Sequence, residues 1–272
     1  MPLVFAGACS HAPGITSRTE LAPEELRVPF FSAFDEMRDA LHAERPDAVI
    51  VLAAEHFANF FMNNMPAFAI GMGESYSGPI EDPDWLGIPL RTSRGNVDLS
   101  RRLITEMQNS VDVSYCEEWQ FDHGIMVPLH FLDPHNKLAI IPANINCQGP
   151  PLAPLHRAWA FGEALRRAAD SVPERIALVA TGGISHWPAT PDSGKINEAW
   201  DREFLEKFLS QDKEAMLAYT DEDILRDGGQ GGFEIRVFLA AAAAARGKGT
   251  LRHYAPIPIF AVGCTVAELE VA

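Results

Sequence analysis

The chain has 272 residues, of which 47% are hydrophobic and 22% are charged, fractions close to those of an ordinary globular protein. They argue against a disordered chain or a fibrous repeat. Lys and Arg total 22 against 37 Asp and Glu, and the resulting formal net charge of −15 would repel a phosphate backbone, so we expect no nucleic-acid partner.

The cysteines and the apolar segments indicate the compartment. The four cysteines lie far apart and form no C-x-x-C pair, which favours free thiols in a reducing compartment over a zinc ribbon or a thioredoxin-like motif. The amino terminus has no basic residue before its apolar run, so no export is expected. The longest apolar helical stretch, 237–245, is far shorter than the roughly 20 residues that cross a bilayer. We therefore expect a cytoplasmic protein with no membrane partner.

Apolar or β-branched runs alternate with amphipathic segments along the chain, which is the pattern of an α/β fold with a largely parallel sheet. The first half is predicted to contain strands at 3–8, 47–54, 66–72 and 111–115 and helices at 23–43 and 97–109. The segment 73–96 is rich in Gly, Pro and Asp and is predicted to be irregular, in a position where it could cover a site.

The second half continues the same alternation. Strands are predicted at 137–141, 175–180 and 257–264, the last interrupted by Pro258, and helices at 155–169, 195–209 and 232–245. Because no repeat or low-complexity linker divides the chain, we predict one catalytic domain, 1–272, with a central, largely parallel mixed sheet flanked by helices. The segment 201–229 could instead form a helical appendage.

Three of the nine histidines lie in loops that follow predicted strands: His11, His56 and His186. Since ligands of open α/β sheets bind beyond the carboxyl ends of parallel strands, these imidazoles are expected to converge. His123, in the sequence FDHG, also follows a predicted strand and could join them. A single loop histidine more often caps a helix or satisfies a buried carbonyl, but four in equivalent places favour a shared site.

Two histidines and one carboxylate would form the facial triad that leaves open positions on non-haem Fe(II). The best carboxylate is Glu234, which the segment GGQGGFE delivers to the first turn of an apolar helix. A Glu in that position is also stabilised by the helix dipole without any metal. The same loop is a poor phosphate cradle because it lacks the GK[ST] ending. Acyl transfer by Ser185 beside His186 is disfavoured, since no G-x-S-x-G elbow is present.

The segments together resemble the class III extradiol ring-cleaving dioxygenases, a family that includes the protocatechuate 4,5-dioxygenase catalytic subunit and 2,3-dihydroxyphenylpropionate 1,2-dioxygenase. The resemblance runs through most of the chain and rests on SHAP at 10–13, AAEH at 53–56, MPAF at 65–68, VSYC at 113–116, DHG at 122–124, GISH at 183–186, EI at 234–235 and YAPIP at 254–258. It implies that His11, His56 and Glu234 hold Fe(II). It also implies that His186 is the acid–base residue and that His123 lies near oxygen and substrate.

The resemblance further implies extradiol (meta) cleavage of a catecholic compound with incorporation of O2, giving a ring-opened semialdehyde-type product in aromatic catabolism. The expected partners are a small aromatic diol and O2, in a homo-oligomer with or without a small second subunit. Two alternatives stay open: a zinc hydrolase with the same triad and a non-catalytic binding relative.

The substrate is not specified by these motifs. A substrate carboxylate would need a local cation in this acidic chain, and Arg252 or His253 is a candidate. Four aromatic residues next to predicted site residues could line a ring pocket, although ordinary packing is their more common role: Phe57, Phe60, Phe61 and Trp187. Glu55 stands where members of the family often have Asp, and Trp187 after His186 is a second departure.

Overall fold

An eight-stranded mixed sheet forms the centre of the fold. The structure is a computed structural model that describes residues 2–272. This part of the chain contributes the strands β1 (Leu3–Cys9), β2 (Ala48–Ala53), β3 (Phe68–Gly71), β4 (Ser75–Gly78), β5 (Arg91–Arg94), β6 (Ser114–Cys116), β7 (Ile140–Ile145), β8 (Ile176–Thr181), β9 (Arg246–Ile257) and β10 (Val262–Val271). β4 and β5 pair as a hairpin, and the large sheet has the order β6-β3-β7-β2-β8-β1-β10-β9.

Helices cover both faces of this sheet. They are α1 (Gly14–Ser17), α2 (Glu24–Ala43), α3 (Pro83–Leu86), α4 (Val97–Met107), α5 (His123–Leu132), α6 (Leu155–Asp170), α7 (Glu198–Ser210), α8 (Lys213–Leu217), α9 (Asp221–Gly228) and α10 (Ile235–Ala245). Short 3-10 turns occupy Thr19–Leu21, Gly231–Glu234 and Pro258–Phe260. Within residues 2–272, every helix is either too short or too polar to cross a bilayer.

The central strands β7, β2, β8 and β1 run parallel, whereas β10 and β9 are antiparallel additions at one edge. Thr181 at the end of β8 pairs with Cys9 at the end of β1 and with Ala53 at the end of β2. The loops after these three strands therefore leave the sheet at one level. The predicted α/β class with a largely parallel mixed sheet flanked by helices is confirmed.

The apolar side of α2 packs on one face of the central sheet. Phe30, Phe34, Met37 and Leu41 recur at helical spacing and are all fully buried, and α2 packs against β9, β10 and α5. Burial of each such side chain contributes roughly 1.5–3 kcal/mol. On the other face α10 packs against α6, and a β-carbon at Gly162 would collide with the backbone of α10.

The carboxyl-terminal strands differ from the prediction. Instead of one interrupted strand over 257–264, two long antiparallel strands, β9 and β10, are joined by a turn that contains Pro258. β9 alternates buried and exposed residues, contains two glycines and lies at the sheet edge, so it lacks the apolar run that marks the central strands. The proline therefore ends a strand where an interruption was predicted.

Four other segments differ in detail. The segment 73–96 is not wholly irregular, because it contains the β4–β5 hairpin and α3. β6 and β7 each begin three residues later than the strands predicted at 111–115 and 137–141. The segment 201–229 forms most of α7 together with α8 and α9, and Phe204 of α7 packs edge-on against Phe238 of α10 at 5.9 Å between ring centroids.

Candidate metal centre and active site

Three histidines meet at the carboxyl end of the central strands. The ring centroids of His11 and His56 lie 5.1 Å apart, and those of His56 and His123 lie 4.0 Å apart. One ring nitrogen of each of the three lies within 4.8 Å of the others. All three line a cavity of about 260 Å³, which His186 also lines. The structure thus brings together the four histidines that the sequence analysis selected.

Glu234 lies beside two of these histidines. It ends the 3-10 turn before α10 and is fully buried. Its Oε2 lies 3.3 Å from Nε2 of His11, and its Oε1 lies 3.3 Å from Nε2 of His56. The backbone N–H of Gly183 donates to Oε2 at 2.5 Å, and the side chain of Gln148 donates to Oε1 at 3.3 Å. The carboxylate is therefore held with one oxygen toward each histidine.

The Nδ1 atoms of His11 and His56 form hydrogen bonds with residues outside the histidine cluster. The Thr181 hydroxyl donates to the carbonyl of Gly124 at 2.6 Å, so its oxygen is free to accept from Nδ1 of His11 at 3.1 Å. Nδ1 of His56 donates to Oδ2 of Asp122 at 2.9 Å. Both imidazoles, when neutral, then turn the lone pair of Nε2 toward Glu234. This carboxylate–histidine arrangement is the one that orients histidines as metal ligands.

Two nitrogen lone pairs facing one carboxylate repel it unless a positive charge lies between them. Ligand atoms that share one cation at about 2.0–2.2 Å in adjacent positions are roughly 3 Å apart, close to the separations seen here. Burial alone would lower the pKa of His56, but its hydrogen bonds to Asp122 and Glu234 outweigh burial and raise it to about 10. Burial would raise the pKa of Glu234, yet the neighbouring imidazoles hold it well below its usual value. The donor set therefore fits a divalent cation.

His123 is held by a residue that the sequence analysis missed. Its Nδ1 lies 2.6 Å from Oε1 of Glu81, which also accepts the His123 backbone N–H at 3.0 Å. His123 begins α5 and follows β6, as predicted, although an irregular segment separates the two elements. Burial lowers its pKa, and charge on His56 lowers it further, so the neutral form is favoured. The only signal for Glu81 was its place in the segment 73–96 that was expected to cover a site.

The His186 loop rests on a second buried carboxylate. Oδ1 of Asp201 accepts the backbone N–H of Ser185 at 2.8 Å, and Oδ2 accepts the hydroxyl of Tyr254 at 2.7 Å. The Ser185 hydroxyl oxygen accepts the backbone N–H of Asn197 at 2.8 Å. Ser185 is thus part of the loop scaffold. Nε2 of His186 lies 3.8 Å from Oε2 of Glu234, and burial lowers the pKa of this imidazole.

Comparison with known proteins identifies the family of this chain. Residues 6–265 match the model of the family described as the catalytic LigB subunit of aromatic ring-opening dioxygenase. The chain belongs to this family. The resemblance to the class III extradiol dioxygenases is confirmed, and the protein is an extradiol ring-cleavage dioxygenase.

Individual relatives agree with this assignment. A Cupriavidus necator protein named 2,3-dihydroxyphenylpropionate/2,3-dihydroxicinnamic acid 1,2-dioxygenase is 30% identical over 284 residues, which cover 86% of this chain and 88% of the relative. A protein of the same name from Photorhabdus laumondii is 26% identical and covers 96% of this chain and 95% of its own. A crystal structure of an uncharacterized Escherichia coli K12 protein has a TM-score of 0.62 at 16% identity, over 97% of this chain and 99% of that one, and so shares the fold.

The two residues considered from the sequence as partners of a substrate carboxylate lie away from the cavity. Arg252 pairs with Glu268 at 2.9 Å and with Glu36 at 3.3 Å on the outer sheet edge, and neither Arg252 nor His253 lines the cavity. Both candidates are therefore wrong in position, because β9 was not predicted. The cation that does line the cavity is Arg18.

The aromatic residues that line the cavity are not the four considered from the sequence. Four aromatic candidates do not line the cavity: Phe57, Phe60, Phe61 and Trp187. Trp85 of α3 and Phe260 line it instead. The Glu55 carboxylate turns away from the histidines and accepts the backbone N–H groups of Ala58, Asn59 and Phe60. Of the two departures from the family pattern, Glu55 thus holds the loop that follows it, and Trp187 lies outside the cavity lining.

Proposed function

We propose that this dioxygenase uses Fe(II) and O2 to cleave a catechol next to its diol, giving a ring-opened semialdehyde-type product in aromatic catabolism. The observation that carries the proposal is the arrangement of His11, His56 and Glu234. Two imidazoles held from behind aim their free nitrogens at one fully buried carboxylate, 3.3 Å from each.

The proposed ligands are His11, His56 and Glu234, and the main competitor for the third position is His123. Glu234 is preferred because each of its oxygens faces one histidine nitrogen. A set of two neutral nitrogens and one carboxylate oxygen is typical of non-haem Fe(II) sites with open positions. When bound there, Fe(II) would lower the pKa of a catechol hydroxyl and hold the diol beside O2.

Proton transfer is assigned to His186. Burial lowers its pKa, so the imidazole is neutral near pH 7 and its Nε2 can take the proton of a catechol hydroxyl and return it to the ring-opened product. Its Nδ1 faces the carbonyl of Ile184 at 3.4 Å, which leaves Nε2 as the basic nitrogen.

His123 is assigned a positioning role beside the substrate and oxygen. Its Nδ1–H is directed to Glu81, so its free Nε2 can accept a hydrogen bond in the cavity. The cavity of about 260 Å³ has room for a single aromatic ring and leaves little space for bulk water.

Oxygen uptake tests the proposed reaction. Protein loaded anaerobically with Fe(II) is mixed with oxygenated catechol, protocatechuate, gallate or 2,3-dihydroxyphenylpropionate while the absorbance of a yellow ring-opened product is followed. We expect one O2 consumed per product formed and no uptake by the Zn(II)-loaded control. Absence of O2 uptake with every catechol, or equal O2 uptake by the Zn(II)-loaded protein, would contradict the proposal.

We also propose that 1–272 acts as one catalytic domain in the cytoplasm, as a homo-oligomer with or without a small second subunit. The free state of all four cysteines supports a reducing compartment, and the resemblance to the family supports the assembly. Light scattering of the purified chain measures the assembly, and a monomer with full activity would contradict it.

A further inference from the structure

The cavity has a cation at its wall that no part of the proposed reaction uses. Arg18 follows α1, the short helix that begins three residues after His11. It is exposed, and it lines the cavity together with Ser17 and Trp85. The cavity lining thus includes both the histidine ligand candidates and an arginine.

The Arg18 guanidinium has no partner within residues 2–272. The structure gives it neither an ion pair nor a hydrogen bond, and no Asp or Glu of the described residues lines the cavity. Arg101, for example, pairs with Asp98 at 3.5 Å, but the exposed side chains of Arg45 and Arg94 have, like Arg18, no partner among the described residues. Of these unpaired arginines, Arg18 is the one that lines the substrate cavity of this acidic chain.

The backbone beneath this side chain is well anchored. The backbone N–H of Arg18 donates to the carbonyl of Gly14 at 3.0 Å, and its own carbonyl accepts the N–H of Leu21 at 3.0 Å. The Thr19 hydroxyl donates to the carbonyl of Ile15 at 2.7 Å. The guanidinium therefore extends from a fixed point, which limits the entropy lost when it binds a ligand.

We propose that Arg18 binds a carboxylate on the ring substituent of the substrate, so that the substrate class is a catechol with an anionic side chain. This inference rests on the proposed function, because it places the diol at the histidine wall and the side chain toward Arg18. A guanidinium matches a carboxylate with two parallel hydrogen bonds. The overall negative charge disfavours anions at long range, so a local cation is what would select this class.

Anaerobic binding tests the subsite without turnover. Calorimetry measures the Kd of 3-(2,3-dihydroxyphenyl)propionate and of its methyl ester, which keeps the diol but lacks the charge. The Fe(II)-loaded wild type, Arg18→Gln and the control Arg101→Gln are compared. Arg101→Gln removes the same charge from a surface groove away from the cavity. Thermal midpoints verify that Arg18→Gln folds, as its side chain makes no polar contact.

The wild type and Arg101→Gln should bind the acid roughly 5- to 30-fold more tightly than the ester, and Arg18→Gln should bind both about equally. Salt should reduce the preference of the wild type. A preference that survives in Arg18→Gln, no preference in the wild type, or equal weakening of acid and ester would overturn the subsite.

The subsite and the proposed function fail in different ways. If the acid is preferred in binding but no catechol supports oxygen uptake, the proposed reaction is wrong and the anion subsite stands. If the acid and the ester are cleaved with equal kcat/KM by the wild type and by Arg18→Gln, the reaction stands and the subsite is wrong.

Discussion

Two buried carboxylates lie near the His186 loop, and their surroundings have opposite effects on their charge. Glu234 faces the imidazoles of His11 and His56, and its pKa is held well below the usual range. Asp201 accepts hydrogen bonds from the neutral donors of Ser185 and Tyr254, and burial raises its pKa to about 6. Both are fully buried, so burial alone does not distinguish them.

The comparison teaches that the partners of a buried acid indicate its role. A buried carboxylate between imidazole nitrogens is stabilised by positive charge, which a proton on an imidazole or a bound metal ion supplies, whereas one that accepts two neutral hydrogen bonds can hold a loop in place. The Glu234 region is therefore interpreted as the metal centre, and the Asp201 region as the support of the loop that carries His186. Variants in the two regions should differ in metal binding, turnover and pH dependence.

The largest effect is expected for the residue between the two regions. His186→Ala removes the proposed proton acceptor without touching the proposed ligands, so kcat should fall by roughly 10²- to 10⁴-fold while iron content stays at the wild-type level. Stopped-flow product formation and iron analysis measure both. The control His156→Ala changes an exposed histidine on α6 and should leave kcat unchanged. Loss of iron in His186→Ala would show that His186 is a ligand.

The next effect concerns the charge of Asp201. Its folded pKa of about 6 lies above its unfolded value, so the folded state binds an extra proton between roughly pH 4 and 6. The protonated Asp201 therefore contributes its full share to the free energy of unfolding below that range. This contribution, up to about 3 kcal/mol, is lost as the pH rises through the range.

Urea unfolding at pH 4 and pH 7 tests this assignment. The free energy of unfolding of the wild type should fall relative to Asp201→Asn as the pH rises, because Asn does not titrate. The exposed Asp112→Asn serves as the control and should show no such change. A difference between wild type and Asp201→Asn that is constant with pH, or that grows, would contradict the raised pKa.

A smaller loss of function is expected when Asp122, the hydrogen-bond acceptor of the ligand candidate His56, is changed. Asp122→Asn weakens the acceptor that orients His56, so Fe(II) affinity should fall by about 10- to 100-fold with little change in fold. Anaerobic titration with Fe(II) measures the affinity. If Asp122→Asn bound Fe(II) as tightly as the wild type, the account of His56 orientation would be wrong.

The smallest effect is expected for Glu81→Gln. The amide can still accept from His123 through its oxygen but carries no charge, so kcat should fall by about tenfold while Fe(II) affinity is unchanged. A loss of Fe(II) affinity would place His123 among the ligands. Equal reductions in the wild-type and His123→Ala backgrounds would show that Glu81 acts independently of His123.

Much of the candidate site was predictable because it follows the central strands. His11, His56 and His186 come after apolar runs that end at one level of the sheet, and Glu234 follows a distinctive glycine-rich segment. The same buried strands made the α/β class recognisable, since parallel strands covered on both faces are almost continuously apolar.

The supporting residues were not predictable in the same way. Glu81 and Asp201 come from an intervening hairpin segment and a helix, and their contacts with the histidine loops depend on tertiary packing. Asp122 was part of a recognised motif, but only the structure shows that it holds a histidine 66 residues away. Arg252 was misplaced because the edge strand β9 has no apolar run. Arg18 was overlooked although it lies close to His11 in sequence.

The most direct test of the central claim is the Fe(II) affinity of Glu234→Ala beside that of Asp201→Asn. Anaerobic titration, with the thermal midpoint of each metal-free protein as the check on folding, should give one Fe(II) per chain for the wild type and Asp201→Asn. Glu234→Ala should bind at least about 100-fold more weakly, because two histidines alone would remain. Full Fe(II) affinity and turnover in Glu234→Ala would contradict the proposed ligand set.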